Sequence, residues 1–350
     1  MASASDDRPS SPQHNRSLYE ASTQYRNWRF SQEDLRSIRT SLNVAAISAI
    51  QNTLEKAEPG SSQGVSFLDA AEENLLVKQY IGKISDVCAA LQYPEEVEAT
   101  AITYLKRFYL KNTVMDWHPV SVMITAVFLA TKTTNNPVVL EEYASRLPKT
   151  TPSEVLELEF LVAQSLGFEF SVWHAHRALW GIWLDIQSLP NHAESYPQST
   201  YSTAMDYVRA SRLTDAELLY TPSQIALTAI SHVLPEAASQ WITHRAPEQA
   251  NSLVALVEDI KRLVNSHGHR PAMDHVKELD RRLKLCKNPD KVVGSKAYLL
   301  RKEREEKLAE TKRLQKAAES QKAMAGDPFG NEIGQNKKSL VDYDDDDDDD

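Results

Sequence analysis

The chain has 350 residues, enough for one large or two ordinary domains, and its 41% hydrophobic content permits a sizeable core. Its net charge of −10 includes eight aspartates, Asp342 and Asp344–Asp350, and removing them leaves −2, which excludes a general attraction for nucleic acid phosphates. The two cysteines, Cys88 and Cys286, have no CxxC partner, which excludes a zinc ribbon and a disulfide framework and fits a reducing compartment.

Residues 1–30 are predicted to form a disordered tail that contains an aromatic motif. The polar opening MASASDDRPSSPQHNRS is typical of disorder, and the motif Tyr25–Ser31 reads YRNWRFS. Ser31 followed by Asp34 resembles a helix N-cap with an acidic residue in the first turn. Apolar residues at helical spacing then predict an N-terminal helix over 31–58, which the sequence EPGSSQG (Glu58–Gly64) ends.

Five further helices are predicted from apolar stripes and helix-start signals, and together they indicate a domain over 65–168. They cover Asp69–Leu91, Pro94–Leu110, His118–Lys132, Leu140–Leu147 and Thr151–Leu166. The third of these is apolar on all sides, so it is expected at the centre of a soluble all-α domain. It is too short and too interrupted to span a bilayer, so no membrane association is expected.

A second copy of this domain is predicted over 169–268, at a shift of 103 residues. The shift aligns Tyr93-Pro94 with Tyr196-Pro197, Pro119 with Pro222, and Ile124–Val127 with Leu227–Ile230. Chance similarity between apolar helices should not place both prolines and both Thr-Ala pairs in one register, so we infer an internal duplication. The copy has its own central helix, Thr221–Leu234, and a later helix at Asn251–Ser266.

The remainder of the chain is predicted in three parts. An amphipathic C-terminal helix, Pro271–Cys286, lies within 269–289. In residues 290–325, Lys and Arg alternate with Glu, which is typical of a solvated single helix or a disordered arm that folds on a partner. Residues 326–350 are expected to be an acidic disordered tail.

Two tandem five-helix repeats with flanking N- and C-terminal helices resemble the fold of the cyclin family. Three motifs are similar to the cyclin H group of that family: Leu213–Ile230 (LTDAELLYTPSQIALTAI), Tyr104–Pro119 (YLKRFYLKNTVMDWHP) and Tyr25–Ser31. The resemblance covers about Tyr25–Lys287. It implies a nuclear, non-catalytic subunit without cofactor or metal that activates the CDK-activating kinase of transcription factor IIH. It also implies a RING-finger assembly subunit and the core of that factor as further partners, and the C-terminal repeats of RNA polymerase II as the substrate.

The resemblance further implies four kinase-binding residues. In cyclins, a Lys at the end of the third helix and a Glu in the fifth hold the regulatory helix of the kinase, and they match Lys132 in FLATK and Glu159 in LELEF. The residues alone also allow a helix-dipole role for Lys132 and a solvated helix face for Glu159. Phe168 and Phe170 match positions that line the kinase groove, although two such aromatics could equally belong to the core.

No catalytic motif is found in the sequence: the Gly-rich loop and the HRD and DFG motifs of kinases are missing, as is a phosphate loop. The pairs His174-x-His176 and His267-x-His269 have a spacing that separates them on a helix, so surface or helix-end histidines are expected. Two alternatives remain, namely another transcriptional cyclin of the C, K or T type and a DNA-binding core like that of transcription factor IIB. The second would need a basic body, whereas residues 72–290 hold 26 acidic and 20 basic side chains.

Overall fold

The computed structural model describes residues 17–189, 196–292 and 294–326, and within them every regular element is helical, as predicted. The α-helices are α1 (Thr23–Asn27), α2 (Gln32–Ala57), α3 (Ala70–Leu91), α4 (Glu95–Phe108), α5 (Pro119–Thr133), α6 (Leu140–Ser145), α7 (Pro152–Ser165), α8 (Ala175–Gln187), α9 (Gln198–Ser211), α10 (Ala216–Leu219), α11 (Pro222–Val233), α12 (Pro235–Arg245), α13 (Ala250–His267), α14 (Met273–Leu285) and α15 (Lys296–Gly326). The chain forms two compact units, Met1–Asn288 and Pro289–Asp350.

The first repeat is built around α5, as its apolar character on all sides predicts. His118 caps the helix by accepting a hydrogen bond from the N–H of Val120, and Pro119 stands at the first helical position. Val122 and Ala126 are completely buried among α3, α4 and α7. The hydroxyl of Thr125, also buried, donates to the carbonyl of Val155 in α7 over 3.2 Å, so the polar group at the centre is satisfied.

The second repeat has its core around α11, and the 103-residue shift predicted from the sequence is confirmed by the helix bounds. Helix α4 spans Glu95–Phe108 and α9 spans Gln198–Ser211, so both ends of the pair are displaced by the same number of residues. Helices α5 and α11 likewise begin at Pro119 and Pro222. A capping box between Thr221 and Gln224 starts α11, whose neighbours are α8, α9, α12 and α13.

Residues 17–30 differ from the predicted disordered tail, because the aromatic motif is ordered against distant parts of the chain. Gln24 and Trp28 are each only 4% exposed. The N–H of Phe30 donates to the carbonyl of Leu218 over 2.9 Å, which ties the segment to α10. Residues 1–16 lie outside the described residues. The N-cap predicted at Ser31 is confirmed as a full capping box with Asp34 at the start of α2.

The short helix α10 and two longer helices of the second repeat, α8 and α12, have no counterpart in the individual helix predictions. Helix α8 contains Gly181 and begins at His174 without a side-chain cap, so the usual start signals are missing. Helix α12 follows α11 immediately, with Leu234 serving as the boundary of both. Both pack against α11, so burial in the second core compensates for weak local signals.

The second compact unit contains α15, which realises the helical alternative predicted for residues 290–325. Ion pairs four residues apart, Arg301–Glu305 and Glu303–Lys307, stabilise this solvated helix. Leu299, Leu308 and Leu314 on this helix are more than half exposed. The predicted acidic tail lies outside the described residues from 327 onward. None of the described helices combines the length and apolar character needed to cross a membrane.

Candidate functional site

The candidate site lies on the first repeat, where the C-terminal end of α5 meets α7. Lys132 occupies the last turn of α5, and its Nζ donates a hydrogen bond of 2.6 Å to Oε1 of Glu159 in α7. The side chain of Lys132 is 47% exposed and that of Glu159 is 19% exposed. The same Nζ lies 5.3 Å from the ring centre of Phe128, which adds a cation–π contact. The structure therefore joins the two predicted charges at a position that a partner can reach.

An exposed apolar patch lies beside this ion pair on α7. Leu156 and Phe160 are 50% and 68% exposed, and they lie four residues apart on one helix face. The ring centre of Phe160 lies 6.1 Å from that of Phe168, which is itself 54% exposed. Contiguous apolar side chains with this much exposure mark an interaction surface.

Phe168 belongs to the tight turn that ends α7. Gly167 and Phe168 both have a left-handed backbone, with φ angles of 63° and 58°. For phenylalanine this conformation costs on the order of 1 kcal/mol or more. The N–H of Phe168 donates to the carbonyl of Ala163 over 3.0 Å, and that of Glu169 donates to Leu166 over 3.2 Å. These bonds hold a strained backbone at the point where an aromatic ring projects from the surface.

Phe170 lies at the edge of the core, whereas Phe168 lies outside it. The ring of Phe170 is partly buried and meets the ring of Tyr104 edge to face, with 6.2 Å between ring centres. The hydroxyl of Tyr104 donates to the carbonyl of Phe170 over 2.7 Å and lies 3.0 Å from Oγ1 of Thr133, the neighbour of Lys132. Burial raises the pKa of Tyr104 to about 12, so its hydroxyl remains a donor. Tyr104 thus connects the aromatic and the charged parts of the site.

The sequence did not predict three residues that belong to this site, namely Leu156, Phe160 and Tyr104. The spacing of Leu156, Glu159 and Phe160 places all three on one face of α7, and that spacing could have identified the first and last as neighbours of the glutamate. Tyr104 carries no such signal, because its contact with Phe170 spans 66 positions of the sequence.

The pair His174 and His176 forms a polar cluster at the junction of the two repeats. The rings are stacked with centres 5.2 Å apart, and Nε2 of His176 lies 3.0 Å from Oε2 of Glu96. His174 is a helix-end residue, as expected, but it is buried rather than exposed, and burial lowers its pKa to about 3. Among the described residues, no group of three or more His, Cys, Asp or Glu side chains could hold a metal ion.

Comparison with known proteins explains the two repeats. A model described as "Cyclin, N-terminal domain" matches residues 51–171, and one described as "Cyclin C-terminal domain" matches residues 174–266. The chain is 32% identical over 316 residues to "Cyclin mcs2" of Schizosaccharomyces pombe, covering 88% of this chain and 97% of that protein. The chain belongs to the cyclin family.

Two further comparisons place this cyclin within the family. It is 35% identical over 223 residues to "Cyclin-H" of Xenopus laevis, covering 61% of this chain and 67% of that protein. A chain in the solved structure of the CAK complex of Chaetomium thermophilum bound to ATP-gamma-S matches with a TM-score of 0.73 and 28% identity. That likeness covers 82% of this cyclin and 94% of the solved chain.

The candidate site lies within the N-terminal cyclin match. All four predicted residues, Lys132, Glu159, Phe168 and Phe170, fall within the N-terminal cyclin domain at 51–171. The second central helix, α11, has His232 in its last turn instead of a lysine. The ring of His232 stacks on the ring of Tyr207, with 4.4 Å between the ring centres. The two repeats thus share a core design but differ at the end of the central helix, and the lysine–glutamate pair is a feature of the first repeat.

Proposed function

We propose that this chain is a cyclin H-like regulatory subunit that binds and activates the CDK-activating kinase of transcription factor IIH. Its contribution would support phosphorylation of the C-terminal repeats of RNA polymerase II. The observation that carries the proposal is the likeness, along 82% of the chain, to a chain of a solved CAK complex. The chain itself would be a non-catalytic subunit of a protein serine/threonine kinase.

Kinase binding is assigned to the surface formed by Lys132, Glu159, Phe168 and Phe170. Exposed aromatic and aliphatic side chains, with Phe160 and Leu156 among them, supply apolar area for a docked helix. The Lys132–Glu159 pair stands at the rim of that area, where charges select the register and orientation of a partner. A partner with an apolar helix face and polar groups at its end would fit both parts of the surface.

Activation would follow from conformational control of the kinase, since the cyclin contributes no reacting group. Docking on the cyclin surface would favour the kinase conformation in which the regulatory helix is turned inward. In that conformation the Lys–Glu ion pair of the kinase forms and its activation loop can adopt the productive arrangement. The cyclin acts by binding this conformation more tightly than the inactive one.

A wider assembly belongs to the same proposal. A RING-finger subunit would assemble the kinase and the cyclin, and the core of transcription factor IIH would carry the three together in the nucleus. The inference rests on the likeness to cyclin H and to the CAK complex. Surfaces outside the kinase site are available for these partners, because the second repeat exposes large apolar side chains such as Trp180 and Leu184.

A reconstitution experiment tests the function. The catalytic subunit of the CDK-activating kinase from the same organism is purified alone and together with this chain, and phosphorylation of a peptide carrying RNA polymerase II repeats is measured. We expect a large rise in rate when the cyclin is added. An unchanged rate would contradict the proposal, and mass spectrometry of co-purified kinases would then show whether a kinase of another transcriptional cyclin is bound instead.

A further inference from the structure

The segment Phe168–Trp173 connects the two repeats and carries the aromatic pair Phe168 and Phe170; we refer to it as the inter-repeat linker. It is held on one side by the N-terminal segment Ser22–Trp28, which lies about 150 positions away along the chain. On the other side it meets α4 through Tyr104 and Arg107. The linker, which follows α7 and precedes α8, is therefore held between the N-terminal segment and α4.

The first point of contact is the carboxylate of Glu169, which lies between the two phenylalanines. Nδ2 of Asn27 donates to Oε1 of Glu169 over 2.5 Å, and Nε1 of Trp28 donates to Oε2 over 2.6 Å. Each oxygen thus receives one bond from the N-terminal segment. Both of these donors are neutral, and the buried guanidinium of Arg107 adds an electrostatic interaction with the carboxylate.

The second point of contact is the backbone of Trp173. The side-chain amide of Gln24 donates through Nε2 to the carbonyl of Trp173 over 3.2 Å, and its Oε1 accepts from the N–H of Trp173 over 2.7 Å. The amide of Gln24 thus satisfies both the N–H and the carbonyl of Trp173, and we refer to this pair of bonds as the clamp. Because Gln24 is only 4% exposed, the clamp excludes water and fixes the far end of the linker.

Trp28 is itself held rigidly, so it can serve as an anchor for Glu169. The guanidinium carbon of Arg107 lies 4.8 Å from the centre of its ring, and Nζ of Lys111 lies 4.9 Å from that centre. Arg107 is 1% exposed and also donates through Nη1 to the carbonyl of Glu169 over 3.2 Å. Both the side chain and the backbone of Glu169 are therefore positioned by one buried group of residues.

We propose that the N-terminal segment Ser22–Trp28 sets the position of Phe168 and Phe170 for kinase binding, with Glu169 as the positioning residue. This inference rests on the proposed function of the same surface. Phe168 has a left-handed backbone, and its ring is 54% exposed with contacts to Phe160 and Phe170, so its own packing restrains its direction only weakly. The bonds to the next residue supply that restraint, and losing them lets the ring sample directions that do not fit the partner.

The test is a double-mutant cycle on kinase binding by the full chain. Glu169→Ala removes both side-chain bonds and Asn27→Ala removes one, and we expect Glu169→Ala to raise the Kd for the purified kinase by roughly tenfold. Arg26→Ala is the matched control, because Arg26 lies on the same short helix, is exposed, and bonds through its side chain to the carbonyl of Ser22 and not to Glu169 in the part of the chain that the structure describes. It should leave the Kd within about twofold.

The cycle separates positioning from general destabilisation. In a background that lacks both rings, Phe168→Ala with Phe170→Ala, Glu169→Ala should have little further effect, because the rings that it positions are gone. Hydrogen exchange of the amides of residues 168–173 in the free chain should be faster in Glu169→Ala than in the wild type. Equal effects of Glu169→Ala in both backgrounds, or an unchanged Kd in the wild-type background, would overturn the inference. Failure of the wild-type chain to bind the kinase would instead overturn the proposed function, and the two failures are thus distinct.

Discussion

Lys132 and Glu159 form an ion pair of 2.6 Å between helices α5 and α7. The two side chains thus orient each other within the chain, and the proposed kinase contact would use this arrangement. A pair with one half-exposed member contributes at most about 1 kcal/mol to stability. Its value for the fold is small, so changes to it report mainly on binding.

Reversing this pair tests its role directly. The single changes Lys132→Glu and Glu159→Lys, and the double change that restores the ion pair in reverse, are all expected to weaken kinase capture. The melting temperature of the double variant should stay within a few degrees of the wild type, since the intramolecular pair is kept. Lys83→Glu is the control, because Lys83 is a similarly exposed lysine on α3. Kinase capture that is as strong with the double variant as with the wild type would show that these residues are misassigned.

Breaking a buried ion pair should lower the free energy of unfolding more than breaking an exposed one. Nζ of Lys106 in α4 lies 3.0 Å from Oε1 of Glu217 in α10 and donates to the carbonyl of Thr214 over 2.7 Å, and its side chain is only 4% exposed. Lys106→Met removes the cation that contacts Glu217, although the electrostatic interaction of Glu217 with Arg107 remains, and should lower the free energy of unfolding by about 3 kcal/mol. Urea denaturation measures this change. Arg146→Ala, which breaks an exposed pair on α6, should cost less than about 1 kcal/mol, and equal costs would contradict the argument.

Local patterns in the sequence predicted the helices of the first repeat, because capping boxes, proline starts and apolar stripes act over a few residues. The internal repeat then predicted the central helix α11, and it aligned Pro197, at the start of α9, with Pro94, at the start of α4. The order of residues 17–30 was not predictable in this way, because Trp28 is stabilised by Arg107 and by Glu169, which is 141 positions away. Lys132 and Glu159 were predicted as site residues from the family resemblance. Their contact joins two helices and is seen only in the folded structure.

Two glycines allow a test of backbone packing in opposite directions. Gly181 lies in the interior of α8, and a methyl group there would meet nothing within 4 Å. Gly181→Ala should therefore raise stability by roughly 0.5–1 kcal/mol. At Gly268, after α13, an added Cβ would lie 2.5 Å from the carbonyl oxygen of Val264, so Gly268→Ala should lower stability by about 1–3 kcal/mol. Denaturation midpoints that move in the same direction for both variants would be inconsistent with this packing.

The stability of the chain should depend on pH through His174. Burial lowers its pKa from 6.5 to about 3 in the folded chain, partly opposed by the charge of Glu96. His174 is therefore protonated below about pH 6.5 in the unfolded chain, but only below about pH 3 in the folded chain. The free energy of unfolding should fall as the pH drops below 6.5, by up to about 1.4 kcal/mol for each pH unit. Burial also disfavours the charged form of Glu96, but hydrogen bonding from His176 and nearby positive charges hold its pKa at about 2, so its contribution is lost only below pH 4.5.

His174→Gln isolates this effect between pH 7 and pH 5. Glutamine can still bond to the hydroxyl of Thr100, which lies 2.9 Å from Nε2 of His174, but it takes up no proton in this range. The plot of unfolding free energy against pH should consequently be flatter for His174→Gln than for the wild type, whatever the stability of the variant at pH 7. His244→Gln, on the exposed face of α12, should leave the slope unchanged. If the wild type and His174→Gln show the same slope, His174 is not the group that links protonation to unfolding.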